Sequence, residues 1–552
     1  MKRTNLIFLF SILLAFVAQL QPVSAAKNSV EGVFYYKIGY YDQAQDMLLK
    51  DLNAGNGEQT EIYYYLGNIE FKFGNMEKAA EYYAKGIALD PKDPFNQIGL
   101  LRLKIQKEPE VAAEGFKQIQ KKNKKKPEVA IEIGRAYLDN KQSEAASDYQ
   151  ALAYERDNQY APAHILWADI CNFLGDGGVA ATYYEQAIMA DPDSYEAYVK
   201  YSRVISYVNF DAAVERLNEL KAKDPSLSLA DKELSEIYYK RNKFTEAAQA
   251  YSDYIKAGNY MQSDLKQYAV TLLFAGRHQE SLDIANKGLS QDPTDPAFSR
   301  MAMYNLIDLK RYDEAKVAAD NFFKKSKNPE FTYYDYVYEA RLFEAEEDFL
   351  SAAASYLKAI ECDSTQKTLY QMASQAYESA GDKVKAVEAY ELFINEAKDA
   401  KNADNLMELG KRYYGVGSDK DTLIAADVKT SMLEKASITF GEVSKLEPDN
   451  YRSYYWKGHA ESSLDPEAER TVALDNYKKA YEIAKSKEDE RYNPVMITCL
   501  NYLAVYYYKQ YEAKKDEADK AKCLEYAEEV LVLDPMNNLA TQLLTVYGGA
   551  AE

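Results

Sequence analysis

The feature that most constrains this chain of 552 residues is its punctuation by acid–proline pairs, among them Asp90-Pro91, Asp191-Pro192, Asp224-Pro225, Asp292-Pro293, Glu447-Pro448 and Asp534-Pro535. The first four prolines of this series stand 101, 33 and 68 residues apart, close to three, one and two units of about 34. Proline has no N–H to continue a helix and pushes its predecessor out of the α region, so each pair marks a helix end. Between stops, apolar residues recur at three- and four-residue steps. Leu66, Ile69 and Phe73 share one face, Gly74-Asn75 breaks the run, and Ala79, Tyr83, Gly86 and Ile87 share the face of a second helix. The spacing predicts a repeated helix, tight turn, helix: an array, not a set of unrelated domains.

Tyr63, Leu66, Gly67, Ala79, Tyr83, Gly86 and Pro91 carry one copy of the pattern, with Glu70 where a tyrosine is usual. Ala180, Tyr184, Ala187 and Pro192 repeat its second half, as do Leu234, Ser235, Tyr238, Ala247, Tyr251 and Tyr254, and again Tyr377, Gly381, Ala386, Tyr390 and Phe393. This succession resembles the tetratricopeptide repeat, a 34-residue antiparallel helix pair. The resemblance covers nearly all of the chain beyond its first 28 residues. It implies an all-α fold, an α-solenoid of about fourteen helix pairs in a right-handed superhelix, regular over 27–402. The repeats of 403–552 carry insertions and end on a capping helix at 538–547. Small residues on both helices let the backbones approach and aromatics fill the gaps, which is what dense interiors require.

The amino terminus reads as an export signal. Lys2 and Arg3 precede an apolar run from Leu6 to Ala18 and a small-residue motif at Val23-Ser24-Ala25, so residues 1–25 form a signal peptide cut after Ala25 or Ala26. The apolar run falls short of the roughly 20 residues that span a bilayer. No cysteine stands beside the cleavage site, and no second long apolar segment follows. A periplasmic protein is expected; WKGHAESSLDPEAE at 456–469 also resembles a feature of exported repeat proteins of Gram-negative bacteria. The formal charge of −20 becomes −22 without Lys2 and Arg3, which disfavours nucleic acid and bare anionic membrane as partners.

Three segments depart from the simple unit: GVGSDKDTLIAADVKT at 415–430, LDPEAER at 464–470 and KQYEAKKDEADK at 509–520. The first is expected as a loop or a short helix, and insertions into such arrays map to loops on one face, often a functional one. IQKKNKKKPE at 119–128 reads as a solvated turn, with Lys at a helix C-terminus, rather than as an anion-docking patch. Cys171, Cys362, Cys499 and Cys523 are too scattered for a disulfide framework and read as buried free thiols, with Cys499 and Cys523 in one repeat.

No recognisable chemistry appears. His164, His278 and His459 fall in different repeats without a second ligand at metal spacing, and there is no phosphate-cradling glycine loop or nucleophile elbow. No catalytic residue, metal or cofactor is expected. Fifty tyrosines exceed what the packing slots need, and the surplus is expected on outer faces or in a groove. In the resembled family the first helix of each unit lines a concave surface that holds a peptide or partner helix. The matching positions here are Tyr64, Asn68, Lys72, Arg135, Tyr198, Lys232, Glu236 and Tyr239. Asn68 and Lys72 fit part of the family's carboxylate clamp, but Val33 and Leu101 break it in the neighbouring units. The resemblance therefore implies a non-enzymatic scaffold bringing envelope proteins together, or alternatively a binding module for a peptide or glycan through a tyrosine-rich groove.

Overall fold

A computed structural model describes residues 28–547 apart from Asn259; the expected signal peptide and its cleavage site lie outside the described residues. Among those residues the secondary structure is helical throughout, from Asn28–Lys37 to Asn538–Tyr547, with one 3-10 turn at Glu490–Tyr492 and no strand. Consecutive helices pair antiparallel, as in Gln59–Lys72 with Met76–Leu89 and Ala161–Phe173 with Gly177–Ala190.

Two local devices set the period. Many of the turns inside hairpins pass through one left-handed residue, though the turn between Tyr195–Ile205 and Phe210–Lys223 does not. Gly74 (φ +82°) and Gly276 (φ +71°) meet that demand at no steric cost, while Lys141, Asn242, Lys310 and Glu347 take the same conformation with φ between +57° and +63°. Lys141 to Gly175, Asn242 to Gly276, Gly276 to Lys310, and Glu347 to Gly381 are each 34 residues. The turn between hairpins is closed by the acid of the acid–proline pair. Asp90, Asp191, Asp224 and Asp534 each accept a hydrogen bond on a side-chain oxygen from the backbone N–H two residues on.

Stacking rests on a small-against-large interlock. Ala79 and the Tyr83 ring are fully buried, and Tyr83 is wedged between two helices that offer glycine. A Cβ at Gly67 would lie 2.6 Å from Cδ1 of Tyr83, and one at Gly99 would lie 2.7 Å from its Cζ. Gly410 meets Phe440 in the same way, with 2.5 Å to Cε1. Glu70, the departure from the repeat pattern, is buried and accepts hydrogen bonds from Gln45 (2.9 Å) and Asn75 (2.8 Å) and an ion pair from Lys78.

The chain divides into two compact units, Met1–Asp292 and Pro293–Glu552, at one of the acid–proline stops; the change to expanded repeats near 403 falls inside the second. Helix takes up much of 509–520 and part of 415–430, for which a loop or a short helix is expected. Residues 509–520 lengthen both helices of a hairpin, Asn493–Lys514 and Glu517–Leu533, with the left-handed Lys515 between them. Their Lys, Glu and Ala are strong helix formers. Part of 415–430 likewise extends the second helix, Ala426–Leu446, leaving a short loop with Leu423 exposed. Only 464–470 is mostly loop, held by Gln510 donating to the Ala468 carbonyl at 2.8 Å.

Cys171, Cys499 and Cys523 are buried free thiols, but Cys362, at the end of helix Phe349–Cys362, is exposed, because a helix terminus leaves its last side chain uncovered. Burial pushes the Cys499 thiol up to about 12. The lysines at 121, 122, 124, 125 and 126 are exposed around the turn after helix Pro109–Lys122. Nineteen of the fifty tyrosines are buried and only Tyr154, Tyr207 and Tyr334 are exposed, so the surplus goes mainly into half-covered seams between helices rather than onto free surface.

The interlock predicts a contrast between two glycines. Gly67→Ala, like Ala79→Leu, should destabilise by about 1–3 kcal/mol through overpacking. Gly178→Ala, whose Cβ would meet only Asp176 Oδ1 at 3.8 Å, should leave the urea midpoint unchanged or raise it. Equal midpoints for Gly67→Ala and wild type would remove the interlock as the stacking device.

Candidate functional site

The inner face of the N-terminal unit, built by the first helix of each hairpin, is where the sequence placed the candidate groove. There the first helices carry charged side chains at facing positions, and they meet one another. Lys72 binds Asp139 at 2.5 Å, and the fully buried Arg102 lies 3.6 Å from the same carboxylate and donates to Asn68. Asn68 also accepts from the Tyr83 hydroxyl at 2.7 Å. The Tyr64 hydroxyl donates to Glu132 at 2.6 Å, Glu132 lies 3.7 Å from Arg135, and Arg135 reaches Glu196 at 3.1 Å. Lys200 closes the chain of charges, 2.8 Å from both Asp169 and Glu196. Burial opposes the charge on Glu196, but Arg135 and Lys200 outweigh it and hold the carboxyl down at about 2.

A second junction brings the N-terminal hairpin, Asn28–Lys37 and Tyr41–Ala54, against helices some two hundred residues later. The Tyr40 hydroxyl, in the turn of that hairpin, lies 2.7 Å from Glu233 and 2.9 Å from Glu236, which share its single proton as acceptors. Arg203 binds Glu233 and donates to the Ile38 carbonyl. Lys232 sits 3.9 Å from the Tyr40 ring centroid and 2.8 Å from Asp264, which also accepts from Gln43 at 2.9 Å and from Tyr254 at 3.0 Å. Burial, and then the neighbouring Glu233, push the Glu236 carboxyl upward. The unit thus closes on itself, and its inner face is occupied by its own side chains.

This arrangement decides where the eight candidate groove residues lie. Tyr64, Asn68, Lys72 and Arg135 come together in the first network, and Lys232 and Glu236 in the second. Tyr198 is 3% exposed, inside the apolar core. Tyr239 is apart from all of these, packed edge-on against Phe244 (5.4 Å) and Phe274 (6.2 Å) near the hairpin turns. Tyr64, Asn68, Tyr198 and Lys232 are buried, so in this closed form they hold helices together and present no side chain to a partner. Sequence reasoning missed Tyr40, Arg102, Asp139, Asp169, Glu132, Glu196, Lys200, Arg203 and Glu233. Apart from Tyr40, a turn residue with no such mark, the one signal for them was charge on the face of a first helix where the repeat otherwise packs apolar or small residues.

Elsewhere the ionisable groups fall into structural roles. The His164 Nε2 bonds the Asn158 carbonyl at 2.9 Å. His459 is ringed by Tyr455, Tyr477 and Trp456 at 4.5, 5.5 and 5.6 Å, and burial lowers its pKa. Among the described residues no three His, Cys, Asp or Glu side chains come together as a metal site, and no helix is long and apolar enough to cross a membrane.

Comparison with known proteins gives family models of the tetratricopeptide repeat matching residues 60–93 and 209–261. No curated protein matches the chain. Among solved structures, the C-terminal part of a TPR repeat-containing protein from Cytophaga hutchinsonii is 22% identical, covering 50% of this chain and 99% of that one, with a TM-score of 0.32. A tetratricopeptide repeat protein from Parabacteroides merdae is 14% identical over 57% of this chain and 99% of that one, TM-score 0.30. PilF of Pseudomonas aeruginosa is 17% identical over 43% and 90%, TM-score 0.26.

The depressed Glu196 carboxyl gives a pH dependence with a definite sign. Its contribution is fully present above the unfolded value of about 4.3 and is lost as pH falls towards 2. Stability to urea should therefore drop over that window, and Glu196→Gln should be less stable at neutral pH yet show a shallower acid slope. An unchanged slope in the variant would remove Glu196 as the responsible group.

Proposed function

Taking as premise that this chain carries tetratricopeptide repeats, we propose that it is a non-enzymatic scaffold that binds other proteins in the cell envelope. Proteins of this repeat are generally protein–protein interaction scaffolds, and the family models that match the chain are of the repeat alone. The observation that carries the reading is apolar surface at the hairpin turns of the N-terminal unit, which folding leaves uncovered. Leu174 is 65% exposed, Tyr207 72% and Val208 86%, on the turns of two successive hairpins. Tyr207 and Val208 line a groove of about 800 Å³ together with Gly177, Gly178, Ala181, Val204 and Lys240, and Leu174 is the chain neighbour of Gly175, which also lines it. Contiguous exposed apolar side chains with polar neighbours mark protein contact sites. With the inner face occupied, this edge is the surface best suited to an apolar segment of another protein. Export to the envelope is supported by the basic start, apolar run and small-residue motif of residues 1–25.

Crosslinking in cells followed by pull-down tests the proposal. A protein partner should be recovered with wild type and lost with Tyr207→Ser/Val208→Glu, while the melting curve of that exposed variant stays within about 0.5 kcal/mol of wild type. The exported chain should begin at Ala26 or Lys27 on N-terminal sequencing. Failure to recover any protein from the envelope would end the scaffold reading.

A further inference from the structure

We propose that a cavity at one end of the inner face of the N-terminal unit binds an alkylammonium group. The cavity has a volume of about 400 Å³ and lies where the starts of helices Gln59–Lys72, Pro94–Arg102, Pro127–Asp139 and Ala161–Phe173 converge. Tyr64, Tyr65, Phe95 and Tyr160 give it aromatic walls. Five carboxylates reach it: Glu58, Glu61, Asp93, Glu128 and Glu132. The lining cations are Lys37 and Arg135, and Arg135 is already engaged with Glu132 and Glu196. The walls therefore carry an excess of negative charge.

Three observations point to a cationic occupant. The carboxylates of Glu58 and Glu61, which are exposed, and of Glu128, which is half-buried, have no hydrogen-bond or ion-pair partner among the described residues. The Glu61 carboxyl, though exposed, is pushed above its ordinary value by partial desolvation and, against the pull of Lys37, by Glu58, Asp93 and Glu132, so these groups crowd one another. Tyr65, only 6% exposed, lines the cavity with a hydroxyl that has no partner among the described residues, whereas the hydroxyl of Tyr64 is committed to Glu132.

An anion would find the helix starts already answered by carboxylates, since acidic side chains satisfy the positive end of the helix dipole. A primary ammonium donates three hydrogen bonds, which carboxylates and the Tyr65 oxygen can accept. Its methylenes would lie along the aromatic faces, where a cation is also attracted by the ring quadrupole. Such a group arrives either on a free polyamine or on a lysine side chain. The site goes beyond the scaffold reading and does not depend on it, because a free amine needs no partner protein.

Calorimetric titration of the full chain with spermidine and, separately, with a short acetylated and amidated lysine peptide tests this at about 0.15 M ionic strength. Saturable binding of at least one probe is expected, weakened roughly tenfold or more by Glu61→Gln/Glu128→Gln through loss of charge-assisted contacts. Tyr65→Phe should weaken it as well. The ligand-free melting temperature of the double variant should hold or rise, since crowded charge is removed. Glu467→Gln/Glu469→Gln, on the exposed loop at 464–470, should bind as wild type does. Spermidine binding alone identifies a free polyamine as the source; binding of the lysine peptide, lost on its acetylation, identifies the side chain. No binding of either probe, or binding equally weakened by both double variants, would overturn the proposal.

Discussion

The contact on which the rest of this molecule depends is an aromatic ring against glycine. Tyr83 fills the space between two successive first helices only because Gly67 and Gly99 have no Cβ to meet it. Phe440 with Gly410 repeats the contact in the C-terminal unit. Dense packing makes the spacing of one hairpin on the next a fixed quantity, and a fixed step repeated along a chain accumulates. In the N-terminal unit it accumulates until Tyr40 reaches Glu233 and Glu236.

Closure changes what the inner face can be. Charges that would be solvated in an open groove are brought within hydrogen-bond reach of one another and lose water. A buried charge must be paired or neutralised, and the pairing here is reciprocal: Arg135 and Lys200 keep Glu196 ionised, while Glu196 and Asp169 answer Lys200. Pairs of this kind contribute modest net stability, because desolvation offsets much of the attraction. Breaking one leaves an uncompensated charge, so they select a single closed arrangement over looser ones. Arg102, fully buried and held by Asn68 and Asp139, acts in the same way.

Much of the local structure was legible in the sequence. Acid–proline stops and the Gly74-Asn75 break located helix ends, and the Ala79, Tyr83 and Gly86 face located the packing stripe. Lys141, Lys310 and Glu347 were illegible as turn residues because nothing in a lysine or glutamate announces φ > 0; only the 34-residue register with Gly175, Gly276 and Gly381 exposes them. The expansion at 509–520 read as a loop because it interrupts a repeat, yet its composition favours helix, and local propensity won. The candidate site was legible only as a helix face. Lys72 and Arg135 were found because they sit on that face. Their partners Asp139 and Glu196 were missed because the contacts join positions 67 and 61 residues apart, set by the accumulated rotation and not by any local pattern.

The two edges of the N-terminal unit differ chemically for a reason built into the hairpin. First helices begin and second helices end on one edge, where the positive helix starts favour acids and the interhelix turns demand Asp. Glu58, Glu61, Asp93 and Glu128 collect there, and convergence of the first helices draws them around one cavity. The opposite edge holds the turns within hairpins, which place no such demand for an acid, and there Leu174, Tyr207 and Val208 remain uncovered. Part of the chain's acidity thus follows from its architecture, because the turns between hairpins are closed by carboxylates. A partner with an apolar segment and a ligand with an ammonium group would meet different rims, so occupancy of one leaves the other sterically open.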